Sequence, residues 1–348
     1  MGLKTLVYGD IDEALRRDVA EYAMFSAQLA ALLEVSGFPK PGNVHRTRDF
    51  PDTRYEHFLA GAVALGSAVE KAALQGVKAG KGEIEASGLG LGRWVKKAVS
   101  DVRMWHKGGN THLGTCLLFI PLAAAYGKTR VEDGEVNLLR LMGNVDLVTR
   151  VTTPEDAVDV YDAVLMLNPA GKLGRVKGAG RAPDLYSPDA MEKLLGDRVS
   201  LFEVMEAASS WDSIAEEWVT GMNVSFTVGY PTFTGILQRT GDVNVATVHT
   251  FLTILAKVPD TFTARKTGLM ETPDVRRAVE VGREKIRWVS ETASYILEMG
   301  GLTTEDGRKA LNAFDERLHE ARGKLSPGTT ADLTASSIMV ALLRGLRF

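Results

Sequence analysis

The chain has 348 residues, 45% of them hydrophobic, and a formal net charge of −3 at neutral pH. That is enough apolar material for one large core, and the weakly negative balance argues against a nucleic-acid binder built on a general basic field. The single cysteine, Cys116, excludes an intramolecular disulfide and a cysteine-based metal cluster, and fits a reducing compartment.

Along the chain, helical periodicity dominates. From Ile11 to Val35, apolar residues such as Leu15, Val19, Ala23, Leu29 and Leu33 recur at three- and four-residue spacing, the signature of one buried helix face. The segments Tyr55–Leu74, Arg93–Trp105 and Val275–Met299 carry the same period. The apolar run Leu113–Tyr126 holds Cys116, read as a small core residue, and Pro121; it is shorter than the about 20 apolar residues a bilayer span needs. The first residues lack a long apolar stretch ending in a small-residue cleavage site, so a cytoplasmic protein without membrane contact is expected.

Helix starts are legible. Thr153-Pro154, Ser187-Pro188 and Thr272-Pro273 each place a capping hydroxyl before a proline, with acids following in the first turn. Thr304 and Thr330 are weaker capping candidates. Only Val224–Val228 reads as a strand, short and isolated. The expected architecture is therefore all-α: a single multi-helix domain over 1–348, with Gly/Pro-rich loops and a mobile insertion at 168–183.

Two glycine-rich segments imitate nucleotide loops. Gly88-Leu89-Gly90-Leu91-Gly92 lacks the preceding strand and spacing of a dinucleotide fingerprint. Gly127-Lys128-Thr129 ends like a phosphate loop, but Leu122 replaces the first glycine, and Gly127 reads as a helix C-cap. The insertion 168–183 carries Lys172, Arg175, Lys177 and Arg181 among four glycines, a composition that can close over phosphates or simply stay solvated.

Four further segments concentrate chemistry. In Pro39–Arg48, two prolines stiffen a turn around Lys40, Gly42 permits close approach, and His45, Arg46 and Arg48 precede the acids Asp49 and Asp52. Gly108–Thr115 opens the apolar helix with Asn110, Thr111 and His112, residues that could cap it or bond a ligand. Asp260-Thr261 followed by Arg265-Lys266 could hold Mg²⁺ and phosphate, or form a surface ion pair. Leu325–Leu333 leaves a small-residue helix start around Ser326 and Gly328, and Asp332 could bind a cation or act as a base.

In order and spacing, these four segments resemble the triphosphoribosyl-dephospho-CoA synthase family, which makes the precursor of the citrate lyase and malonate decarboxylase prosthetic group. Pro41-Gly42-Asn43-Val44-His45-Arg46 matches its Pro-Gly-x-Val-Asp-Arg loop, and Asn110-Thr111-His112-Leu113-Gly114 its Asn-Thr-His-x-Gly segment. Asp260, Thr261 and Arg265 match its Asp-Thr…Arg, and Leu325–Leu333 its Leu-Ser-Pro-Gly-x-x-Ala-Asp-Leu segment. The resemblance runs from about Ala27 to the C-terminus. His45 stands where the family has an acid, and Phe50 lies near the position of an expected histidine, so the chain looks like a divergent, archaeal-style branch of that family. His45 marks the acceptor as the part of the reaction where this chain could differ.

The resemblance implies transfer of the triphosphoribosyl group of ATP to a ribose 2′-hydroxyl of dephospho-CoA or a related acceptor, with release of adenine. The N-glycosidic bond breaks through an oxocarbenium-like transition state while the phosphates stay intact. It implies Lys40, Gly42, Arg46, Arg265, Lys266, Ser326 and Gly328 on the nucleotide, with Mg²⁺ on Asp260 or Asp332. Asp52 becomes the general base, Asn110 and Thr111 orient adenine or ribose, His112 protonates the leaving base, and Asp332 is also catalytic. A Mg²⁺-assisted N-glycosyl hydrolase or phosphoribosyl-type transferase, or a nucleotide-binding regulator without catalysis, would use the same residue types. The many apolar helix faces leave room for a homodimer.

Overall fold

The computed structural model describes residues 3–168, 173–176 and 180–348. Lys172 and Lys177 of the expected insertion lie outside the described residues. Sixteen α-helices run through the described chain. The first seven are α1 (Leu3–Ser36), α2 (Tyr55–Ala64), α3 (Gly66–Gly80), α4 (Leu91–Trp105), α5 (Leu113–Asp133), α6 (Leu138–Arg150) and α7 (Pro154–Leu167). Then come α8 (Ala190–Gly196), α9 (Leu201–Ala208), α10 (Ser213–Val219), α11 (Tyr230–Thr240) and α12 (Val243–Lys257). The last four are α13 (Thr261–Gly268), α14 (Val275–Glu298), α15 (Glu305–Glu320) and α16 (Gly328–Leu343). Extended pairing among the described residues is limited to isolated bridges, His45 with Arg48 and Arg175 with Asp274.

Two helices are apolar on every side and therefore have to be surrounded. In α5, every residue from Thr115 to Gly127 is buried, and in α16 every residue from Leu333 to Leu343 is buried. Two of the buried hydroxyls of α16 are satisfied within the helix, Thr334 donating to the Thr330 carbonyl at 2.7 Å and Ser337 to that of Leu333 at 2.7 Å, while Ser336 donates to the Ser225 hydroxyl at 2.9 Å. Around these two pack amphipathic helices, α1, α3, α4, α7 and α11, in one large core. A smaller cluster of Phe251, Leu255, Val279, Ile286, Phe314 and Leu318 joins α12, α14 and α15.

The α3–α5 crossing depends on small residues. A Cβ at Gly76 would lie 1.9 Å from the Ala124 carbonyl oxygen, and one at Gly127 would lie 2.1 Å from that of Ala73. Gly127 thus sits inside α5 because two backbones touch there, and the expected C-cap is instead Gly134 (φ +68°).

Capping follows the sequence in part. Thr153 caps α7 with Pro154 at the first position, reciprocated by Asp156, and Thr304 caps α15. At the other two Pro-marked starts the cap moves past the proline: α8 begins after Asp189, and α14 begins after Asp274, whose carboxylate accepts from the Arg277 N–H at 2.9 Å. At α14 the aspartate accepts the capping bond as well as a hydroxyl would, whereas at α8 the Asp189 carboxylate makes no capping bond and pairs with Lys193. The expected strand at Val224–Val228 is a π-helical turn, Ser225–Gly229. The buried Glu217 carboxylate accepts from the Val224 N–H, the Ser225 N–H and the Ser225 hydroxyl and holds that turn helical. The periodic stretch Tyr55–Leu74 is divided at Leu65 into α2 and α3.

Gly76→Ala is expected to destabilise the chain by about 1–3 kcal/mol, read from urea unfolding, because the obstructing atom is backbone. Gly143→Ala, with no atom within 4 Å of its new Cβ in α6, is the control; it is expected to be neutral or stabilising by up to about 1 kcal/mol.

Candidate active site

The two apolar helices bring their N-terminal turns to the wall of one cavity of about 490 Å³. From α5 come Leu113, Gly114 and Thr115, preceded by Asn110, Thr111 and His112; from α16 come Gly328, Thr329 and Asp332. N-terminal turns carry unpartnered N–H groups and the positive end of the helix dipole, so both helices direct partial positive charge at this space. The turns are tied together, because the Thr115 hydroxyl donates to Asp332 Oδ1 at 2.5 Å. Gly114 is required for that approach: a Cβ there would stand 2.1 Å from Asp332 Oδ2.

Asp332 is open to the cavity and otherwise surrounded by protein. Burial pushes its carboxyl up to about 8, the Thr115 bond pulls the other way, and the charges of Glu34 and Asp260 add to the rise. Glu34, from the last turn of α1, also lines the cavity and is buried. Its partner is Lys40, whose Nζ bonds the Glu34 carboxylate and, at 3.0 Å, the Glu34 carbonyl. Burial drives Glu34 up and Lys40 down, and their ion pair opposes both movements.

Three cations stand along the wall formed by α13 and the α15–α16 loop: Arg265, Lys266 and Arg322. Arg265 lies 3.6 Å from Asp212, and Lys266 Nζ donates to the Gly323 carbonyl at 3.1 Å and sits 4.0 Å over the Phe262 ring. Arg322 is exposed and has a positive φ of 50°, a strained setting for a side chain of its size. Asp52 and Asn110 are exposed at the mouth, where the Thr53 hydroxyl donates to Asp52 at 3.3 Å and Asn110 Oδ1 accepts from the Leu113 N–H at 3.1 Å. His112 is only 4% exposed, and burial holds it down to about 3, so its ring is neutral; Nδ1 shares a hydrogen bond of 2.8 Å with Thr111. The opposite wall is apolar, with Val160, Val164, Leu185, Met205, Trp211 and Ile214.

Of the residues expected in the site, Asp52, Asn110, Thr111, His112, Arg265, Lys266, Ser326, Gly328 and Asp332 meet at this cavity. Lys40, Gly42, Arg46 and Asp260 are not among its lining residues. Lys40 is spent on Glu34. Gly42 (φ +70°) packs its backbone against Leu318 and the Leu325 carbonyl, and the Arg46 guanidinium turns outward to Asn244 at 3.3 Å and over Phe38. Asp260 is a buried brace: Oδ1 caps α13 through the Thr263 N–H at 2.7 Å, and Oδ2 accepts from the Thr330 N–H at 2.8 Å and hydroxyl at 2.9 Å. That bond takes up Thr330, expected as the α16 cap, and the helix begins earlier, at Gly328. The turn Pro39–Arg48 thus supports the cavity through Asn43, which exchanges bonds with Ser326 (3.2 Å) and the Pro327 carbonyl (3.1 Å).

His45 is buried and also lies outside the cavity wall; its Nε2 is 3.2 Å from Asp315 Oδ2. The carboxylate beside His45 thus comes from α15. His45, Asp315 and His319 place one ligand atom each within 4.8 Å of one another, a group able to hold a metal ion. Burial alone would raise Asp315, but hydrogen bonds from His319 and His45 outweigh it and hold the carboxyl well below the usual range.

The described part of the insertion contributes apolar walls through Leu173, Val176 and Pro183, and its two described cations turn to partners elsewhere. Arg181 pairs with Glu203 and the Asp197 carbonyl, and Arg175 lies 3.8 Å from Asp184. Sequence reasoning missed Glu34 and Arg322. Glu34 had a signal: an acid in the last turn of a helix faces the negative end of the dipole, a placement that needs compensation. Arg322-Gly323 had none beyond its place before a glycine.

Comparison with known proteins agrees with this geometry. Residues 20–347 match the CitG family, ATP:dephospho-CoA triphosphoribosyl transferase. The chain is 25% identical over 319 residues to 2-(5''-triphosphoribosyl)-3'-dephosphocoenzyme-A synthase from Klebsiella pneumoniae, covering 91% of this chain and 89% of that protein. A crystal structure provisionally named as a triphosphoribosyl-dephospho-coA synthase from Archaeoglobus fulgidus is similar at a TM-score of 0.56 and 26% identity, over 84% of this chain and all of the other. The cavity is thus framed by the same chain segments on which the family is recognised, and this protein belongs to the ATP:dephospho-CoA triphosphoribosyl transferase family.

Proposed function

We propose that the cavity transfers the triphosphoribosyl group of ATP to a hydroxyl of dephospho-CoA and releases adenine. One observation carries the reading: two helix N-termini and the cations Arg265, Lys266 and Arg322 face a single space. Donors arranged in this way bind phosphate oxygens without attacking phosphorus, which suits a reaction that keeps the triphosphate whole. The apolar wall offers the adenine ring a surface to pack on, and bond cleavage falls between the two regions, at the anomeric carbon.

Asp52 stands at the mouth, where an incoming acceptor would present its hydroxyl, and takes the proton. His112 is neutral and acts as a hydrogen-bonding group toward the base or ribose; the proton Asp52 takes from the acceptor hydroxyl balances the one departing adenine gains, relayed through water at the mouth. The wall also suits Mg²⁺. Asp332 and Glu34 place two carboxylates against one space; burial first, and the charge of Glu34 after it, drive the rise of Asp332, the setting a hard, oxygen-seeking cation relieves. Asp332 would hold Mg²⁺ together with phosphate oxygens, and the ion would supply charge neutralisation. Lys40 serves here by pairing Glu34, and Asp260 by bracing α13 against α16. The absence of His45 from the wall removes the reason to expect an unusual acceptor from that position.

With Mg-ATP, adenine is expected by chromatography only when dephospho-CoA is added; adenine without it would favour a hydrolase, and bound ATP without adenine a regulator. Arg322→Ala is expected to raise KM for ATP about tenfold or more, with a smaller change in kcat, in steady-state assays. Asp332 also gives a stability test in metal-free protein. Between the ordinary carboxylate range and about 8, the folded chain binds a proton that the unfolded chain has released, so this contribution is lost as pH rises. Asp332→Asn, which mimics the neutral acid, is expected to flatten the decline in urea stability between pH 6 and pH 9; an unchanged slope would contradict the assignment.

A further inference from the structure

The group formed by His45, Asp315 and His319 has features that a simple ion pair does not need. Asp315 and His319 stand four residues apart on α15 and so share one helix face. His45 reaches them from a tight turn closed by two backbone bonds, His45 N–H to the Arg48 carbonyl at 3.0 Å and the return bond at 2.9 Å. His45 Nε2 lies 3.2 Å from the Asp315 carboxylate, and one ligand atom from each of the three residues lies within 4.8 Å of the others. Ligands about 2.1 Å from a tetrahedral ion stand about 3.4 Å apart, so little movement is needed to admit one.

An outer shell is present as well. The Thr47 hydroxyl lies 3.2 Å from His45 Nδ1, and the Gly42 N–H donates to Asp315 Oδ1 at 3.0 Å, the kind of support that fixes the orientation of metal ligands. Phe50 stacks on His319 with centroids 5.2 Å apart and Phe38 meets His45 edge-on at 5.4 Å, so the group is walled by aromatic rings. Arg48, 3.8 Å from Asp315, is already answered by both oxygens of Glu316. Most telling is His319 Nε2, which is buried, in a residue only 9% exposed, and has no hydrogen-bond partner among the described residues. Nδ1 of the same ring is taken up by Asp315, 3.0 Å from its carbonyl and 3.0 Å from its carboxylate, so Nε2 is the nitrogen left to hold an ion.

We propose that His45, Asp315 and His319 bind one Zn²⁺, which pins the Pro39–Arg48 turn to α15 apart from the nucleotide cavity. Two imidazoles and one carboxylate suit zinc and its neighbours, whereas Mg²⁺ prefers an all-oxygen set. Three protein ligands leave a fourth position for water. The ion would be structural, because none of its ligands lines the cavity.

The test uses the full chain, stripped with chelator and titrated with Zn²⁺ by calorimetry in millimolar Mg²⁺, with bound metal counted by mass spectrometry. One Zn²⁺ per chain is expected, unaffected by Mg²⁺, with affinity falling more than about 100-fold in both His45→Gln and His319→Gln. Should either variant fail to fold by circular dichroism, Co²⁺ added to the wild-type chain decides, through the visible bands of a tetrahedral nitrogen–oxygen site. No Zn²⁺ bound at micromolar concentration, binding unchanged in folded variants, or no tetrahedral Co²⁺ spectrum would each overturn the proposal.

Discussion

A helix that is apolar on all sides has to be enclosed, but its first turn always presents N–H groups that the helix itself cannot satisfy. In this chain α5 and α16 are enclosed in that way, and both first turns open onto the same cavity. The Thr115–Asp332 bond and the bare backbone of Gly114 hold the turns in register. Burial thus fixes where the donors are, and the donors determine what kind of ligand the cavity takes. Much of the remaining structure serves to close that arrangement.

Charge in the site is arranged in two shells. Facing the space are Arg265, Lys266, Arg322, Asp52, Glu34 and Asp332. Behind them, Lys40 pairs Glu34 and Asp260 joins α13 to Thr330 at the start of α16. The His45–Asp315 bond anchors the turn Pro39–Arg48 to α15, and Asn43 passes that anchorage on to Ser326. A buried charge that lost its partner in this outer shell would face an uncompensated environment, so changes there act on the site without touching a ligand.

The helical class was legible from period alone, and α4 and α14 run close to the periodic stretches that announce them. Boundaries were less so: Ser187 and Thr272 read as caps, yet Asp189 and Asp274 take that position after the prolines. The strand reading of Val224–Val228 failed because β-branched residues accept a helical turn when a buried acid, Glu217, collects its free N–H groups. The motif residues that open α5 and α16 lie at the cavity, since a helix start has a definite direction. Lys40, Arg46 and Asp260 lie off the cavity wall; composition shows a charge but not its partner, and each partner lies elsewhere in the fold: Glu34, Asn244 and Thr330. Glu34 was hidden inside a helix whose other side faces the core.

The account rests on ATP phosphates being held by the opening turns of α5 and α16. Hydrogen exchange of the backbone amides with and without Mg-ATP tests this directly. Protection is expected to rise at Gly114 and Thr329, with little change in the turn 45–48, which is already bonded to itself and to α15. Protection that appeared in that turn while both helix starts stayed unchanged would contradict it.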